Sequence, residues 1–132
     1  MYFKRDFVCI SRFASFGGAN GGVHIDIYDV DLSSAAFAMA FGDPDTNGTL
    51  FILNSGSGLD VSYEASIEDE ATGAMRERTR ITPTIAESTL TNAPGNGIAD
   101  VLLPYTFYVT PSGGSTLAIG QGHLVIKQGV AD

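Results

Sequence analysis

Apolar and polar residues alternate along much of this chain with a period of two, the spacing of strands that bury one face. The clearest case is Val23–Tyr28, where Val23, Ile25 and Ile27 fall on one side and His24, Asp26 and Tyr28 on the other. Tyr2–Ile10, rich in aromatic and β-branched residues, predicts an earlier strand. Phe16–Gly22 predicts a flexible loop, because Gly17, Gly18, Gly21 and Gly22 admit positive φ at little cost. Ser33–Phe41 carries two signals: its alanines favour helix, while Phe37, Met39 and Phe41 alternate with Ala36, Ala38 and Ala40 as a strand would. We read it as a strand whose three large residues face the core. A turn at Gly42–Gly48, the apolar run Leu50–Leu53 and a second turn at Asn54–Gly58 follow.

Further on, Leu59–Ala65 and Met75–Ile81 predict a strand pair joined by an acidic loop that ends at Thr72 and Gly73. Ile98–Val109 reads as a strand interrupted or started at Pro104, with Tyr105, Phe107 and Val109 alternating against Thr106, Tyr108 and Thr110. Pro111–Gly114 is a turn. Leu117, Ile119 and Leu124–Ile126 then form a closing hairpin broken by Gly120 and Gly122. Strands separated by turns over the whole length, without internal repeat or linker, predict one all-β domain over residues 1–132, a sandwich or small barrel. Residues 1–22, a strand and a Gly-rich loop, are set apart as a candidate assembly arm.

Composition narrows the partners. With 132 residues, 44% hydrophobic and 17% charged, the chain is long and apolar enough to bury a core of its own. Its net charge of −8 repels phosphate backbones and anionic lipid, so neither nucleic acid nor membrane is an expected partner. Arg76, Arg78 and Arg80 are a patterned basic cluster preceded by the acidic Glu68, Asp69 and Glu70, so these charges can compensate one another or meet a partner of opposite pattern, while a solvated strand face and a solvated loop are the plainer reading. Cys9 is the sole cysteine, which rules out an intrachain disulfide. The first residues lack the apolar stretch of a signal peptide, and nowhere do roughly 18 apolar residues run together as a membrane helix needs. Synthesis in the cytoplasm is the expectation.

Candidate chemistry is sparse. Asp43, Asp45 and Asn47, followed by Gly48, place oxygen side chains at alternate positions, as in the first half of a calcium loop. The loop's bidentate Glu is missing, since Asn54 stands in its place, and Asp and Asn are also ordinary turn formers. His24, His123 and Cys9 come with no nucleophile signature. Glu68, Asp69 and Glu70 are consecutive rather than opposed across a cleft, as glycoside hydrolysis requires. Tyr63, Tyr105 and Tyr108 are candidate sugar-stacking surfaces, though alternating aromatics in strands usually pack against the core or a cross-strand neighbour. No enzyme is expected and no cofactor beyond a calcium ion at Asp43, Asp45 and Asn47.

From Tyr28 onward the order of features resembles the immunoglobulin-like β-sandwich domains of bacteriophage tail, baseplate and fibre proteins. Val30–Phe41 looks like that group's strand opener, an Asp-Leu pair followed by small residues and an alternating strand. Thr84–Leu90 looks like its short helical or turn segment, Asp100–Val109 like its aromatic strand, and Gly113–Ile126 like its closing hairpin. The Gly-rich loop before residue 23 and the Asn92–Gly97 insertion depart from the pattern. The resemblance implies an antiparallel immunoglobulin-like sandwich of about seven to nine strands. It further implies a non-enzymatic virion component, in tail, baseplate, fibre adaptor or capsid accessory position, that assembles with other virion proteins and with copies of itself. Phe3, Phe7, Gly17, Gly18, Asn20, Gly21 and Gly22 are the expected partner contacts, because a terminal strand beside a flexible loop can add to a neighbour's sheet. The competing arrangement pairs that strand within its own domain. A carbohydrate-binding module, calcium-assisted, is the alternative function.

Overall fold

The computed structural model describes residues 3–9, 16–18, 23–94 and 100–127. The strands are β1 (Phe3–Lys4), β2 (Phe7–Cys9), β3 (Phe16–Gly17), β4 (Ile25–Tyr28), β5 (Ala36–Gly42), β6 (Thr49–Ser55), β7 (Gly58–Glu68), β8 (Met75–Ile85), β9 (Val101–Thr110) and β10 (Leu117–Ile126). One short helix, α1 (Glu87–Thr91), follows β8 and buries Leu90. The protein is thus predominantly β, as the alternation predicts.

All ten strands belong to one curled sheet. β1 and β2 flank β10, the order continues β10, β9, β5, β6, β7, β8, and β3 and β4 flank β8. The two ends of this order come back together. The Phe7 ring of β2 meets the Phe16 ring of β3 edge-on at 6.2 Å, and the Arg5 guanidinium donates to the His24 carbonyl at 2.6 Å. Inward residues from every part of the sheet form a single cluster. Phe37, Met39 and Phe41 of β5 are among its most buried members, together with Leu103 and Phe107 of β9 and Leu124 of β10.

β5 settles the helix-or-strand ambiguity in favour of strand. It lies between β6 and β9, with Phe41 opposite Phe51 on one side and Tyr105 on the other, so burying its three large residues outweighs the helix preference of its alanines. The segment before it is closed by Asp31, whose carboxylate accepts the Ser33 backbone N–H at 2.9 Å. The buried Thr79 hydroxyl accepts the Leu32 N–H and donates to the Val30 carbonyl, which ties the crossing from β4 to β5 onto β8.

Two features differ from the sequence expectation. The pairing is mixed, because β1 and β2 run parallel to β10 and the short β6–β7 contact is also parallel. The strand count also exceeds the expected one, since the N-terminal segment contributes short strands to both ends of the sheet.

Nor do Gly120 and Gly122 break the last strand. β10 runs unbroken through both, apart from a bulge near Ala118, and they make room for the N-terminal segment. A Cβ on Gly120 would lie 2.3 Å from the Phe3 ring, and one on Gly122 would lie 1.9 Å from the Arg5 carbonyl oxygen. Arg5 N–H donates to the Gln121 carbonyl at 3.1 Å, and the Asp6 carboxylate replaces a backbone partner by accepting the His123 N–H at 2.8 Å. A side chain at residue 122 would push the N-terminal strand off the sheet. Gly122→Ala is expected to cost about 1–3 kcal/mol in urea denaturation, with the N-terminal segment becoming the first site of proteolysis.

Candidate functional site

The sheet divides into two halves of different chemistry. In β4, β8 and β7 the outward positions form a ladder of ion pairs. Arg80 makes a two-pronged contact with Asp26 at 2.8 and 3.0 Å, Arg78 pairs with Glu64, and Arg76 bridges Asp29 at 2.6 Å and Asp69 at 2.7 Å while lying over the Tyr28 ring. The rungs follow from register, which sets Asp26 opposite Arg80 and Glu64 opposite Arg78. The arginine cluster is therefore compensated from within the chain. Arg78 is the buried member, and its Nε makes no hydrogen bond among the described residues, so the ladder is not fully satisfied.

Burial alone would raise the Asp26 carboxyl, but the hydrogen bond and charge of Arg80 outweigh it and hold the group below the usual carboxylate range. Hydrogen bonds from Arg76 lower Asp29 and Asp69 in the same sense. Tyr63 donates to Glu77 at 2.8 Å, and that bond raises its phenol.

The other half keeps its charges to the N-terminal edge, with Lys4 on β1 and Arg5 and Asp6 after it. β5, β6, β9 and β10 contain no Asp, Glu, Lys or Arg. Its outward surface is built of small and apolar side chains set in cross-strand rows. One row runs Ile52, Ala40, Thr106, Gln121 and ends at Lys4 on β1, and another runs Leu102, Val125 and, on β2, Val8. Ile52, Leu102 and Val8 are about half exposed, at 50%, 49% and 52%. A groove of about 490 Å³ on this side is lined in part by Lys4, Asp6, Pro104 and His123.

The candidate residues separate on this frame. Asp43, Asp45 and Asn47 lie in the β5–β6 turn, which closes on itself. The Asp43 carboxylate accepts the Asp45 N–H at 2.8 Å, its carbonyl accepts the Asn47 N–H at 3.0 Å, and Asn47 adopts a positive φ of 61°. Among the described residues no three His, Cys, Asp or Glu side chains converge as metal ligands.

Phe7 is buried against Phe16 and Tyr105, and Phe3 packs on Phe107. Gly17 pairs with Thr84, and the Gly18 N–H donates to the Pro83 carbonyl at 3.0 Å. These four residues hold the domain's own strands together, while Asn20, Gly21 and Gly22 lie outside the described residues.

His24 sits 3.0 Å from the Thr82 hydroxyl, and Cys9 is buried in β2. Tyr105 is inward, with burial raising its phenol and its hydroxyl donating to the Arg5 carbonyl, whereas Tyr108 alternates to the outward side of the same strand. Tyr63 lies on β7 in the other half, so the three tyrosines do not share a platform.

Sequence reasoning did not single out the charge-free surface. Its signal was nonetheless present as the absence of Asp, Glu, Lys and Arg from four strands. The pairing of Asp6 with His123, whose Nδ1 lies 3.6 Å from the carboxylate, joins residues too distant in sequence to be matched by spacing.

A carboxyl held low in the folded state, as Asp26 is, contributes stability that is present above its unfolded value of about 3.9 and lost as pH falls through the lower folded value. Stability measured by denaturant titration is expected to decline below about pH 4 in the native protein. The decline is expected to be shallower in Asp26→Asn, which is also less stable than the native protein near pH 7.

Comparison with known proteins finds no family model and no curated protein that matches this chain.

Proposed function

We propose that this chain is a non-enzymatic structural module that works by docking to other proteins, as a component of a bacteriophage particle made in the host cytoplasm. The observation that carries the docking reading is the outward surface of β6, β5 and β9, which bears no Asp, Glu, Lys or Arg and exposes Ile52 and Leu102 on a chain of net charge −8. Exposed apolar side chains on an uncharged face of an acidic protein have a physical use when another surface covers them, because covering them removes apolar area from water without stripping the solvent from a charge. The virion assignment rests on the resemblance of residues 28–126 to immunoglobulin-like domains of phage structural proteins. The packing of both sheet halves on one core, with the N-terminal segment divided between them, supports the immunoglobulin-like sandwich as the finer description of the fold.

Quantitative mass spectrometry of density-banded particles, from a host carrying the gene, is the test. The chain is expected in the particles at a fixed ratio to their other structural proteins. Its absence from banded particles would remove the virion assignment. Glycan binding by the purified chain that is lost on adding a calcium chelator would replace the docking reading with the carbohydrate-binding one.

A further inference from the structure

We infer that two copies of this chain pair antiparallel through the free edge of β6, across a twofold axis at Phe51, so that the sheet of one copy continues into the other. The inference rests on the docking reading and gives it a first contact.

β6 is hydrogen-bonded to β5 along one side, but on its other side β7 is in register only at Asn54 and Ser55. From Thr49 to Leu53 that side has no strand beside it among the described residues. A strand edge in this state offers a row of backbone donors and acceptors to any strand that can reach it.

The edges of this protein differ in how they are protected. β7, also unpaired on one side beyond the corner, carries Asp60, Glu64 and Glu68. β4 is short and carries Asp26, and the β1–β2 edge carries Lys4, Arg5 and Asp6. β6 has neither charge nor proline, and Gly48–Gly58 as a whole is uncharged. A β-bulge where Gly42 pairs with Thr49 is its one irregularity. Charges and prolines are the usual means by which an edge resists pairing, and this edge lacks both.

Two further features select a second copy as the occupant. The free stretch Thr49–Leu53 is centred on Phe51, and antiparallel pairing about that residue sets Leu50 opposite Ile52 of the other copy and Thr49 opposite its Leu53. Leu50 and Ile52 are exposed in the single chain and would form one apolar patch in the pair. Charge points the same way. The pairing sets two uncharged strands side by side, so no charged group of either strand is stripped of water by the contact. A cationic partner would find its complement on β7 instead. Among the described residues each copy has one such edge, so the pair closes.

Sedimentation equilibrium of the intact chain near physiological salt, over a range of protein concentrations, tests this. The expected result is a monomer–dimer equilibrium that Ile52→Lys weakens by about tenfold or more, by placing a charge on each side of the axis. Leu102→Lys, equally exposed but two strands away, is expected to leave the equilibrium unchanged. Circular dichroism checks that both variants stay folded. A wild-type monomer at every concentration, a dimer indifferent to Ile52→Lys, or an open series of larger species would each overturn the inference. A monomer that is still present in banded particles would overturn the pairing alone, whereas a β6-dependent dimer absent from particles would overturn the virion assignment alone.

Discussion

Among the described residues, backbone pairing across the middle of this sheet is confined to two residue pairs, Asn54 with Gly58 and Ser55 with Leu59, and at the seam between its ends a guanidinium-to-carbonyl bond crosses from Arg5 to His24. What holds the two halves in one body is the burial of their inward side chains against each other. Phe37, Phe41, Phe107 and Leu103 on one half, and Leu59, Ile81 and Ile85 on the other, lie at 2% exposure or less in the same cluster. Burying each large apolar side chain contributes about 1.5–3 kcal/mol, and this nondirectional term works where the hydrogen-bond ladder is interrupted. The strand ends and corner are then fastened by local polar contacts. The Ser55 hydroxyl accepts the Phe37 N–H at 2.7 Å at the β5–β6 end, and Thr79 ties the β4–β5 crossing.

With the inward face committed to the core, the outward faces are where the halves diverge. β8 with its neighbours spends its outward positions on ion pairs, most of them at least partly open to solvent. Such pairs contribute modestly to stability, but by register they fix which strand lies beside which. β5, β6, β9 and β10 place alanine, threonine, tyrosine and a few exposed aliphatic residues outward instead. In the half built on β8, each arginine of that strand finds a carboxylate of the same chain. In the other, the outward side chains of β5, β6 and β9 carry no charge, and the charged groups gather at the β1–β2 edge.

The N-terminal segment belongs to the same economy. β1 and β2 cover one side of β10, and the glycines at 120 and 122 permit the close approach. A strand that sequence reasoning set aside as a candidate arm for a neighbour is thus used to extend the chain's own sheet. β6 retains an edge of neutral, alternating character instead.

The sequence by itself determined the class of fold and most of its strands. The alternation in Val23–Tyr28, Phe37–Phe41 and Tyr105–Val109 is a local property, set by which side of a pleated strand each residue occupies, and it survives into the structure with the same residues inward. The compensation of Arg76, Arg78 and Arg80 by acidic residues was legible for a related reason, since part of it, Asp69, lies close by in the chain. The tertiary structure alone decided which strands became neighbours. The parallel docking of residues 3–9 on β10, the pairing of Asp26 with Arg80 and of Asp6 with His123, and the role of Gly122 as a docking slot all join residues far apart in sequence, and no local pattern records a partner that distant. Pairing, unlike alternation, depends on how the whole apolar surface is best buried at once.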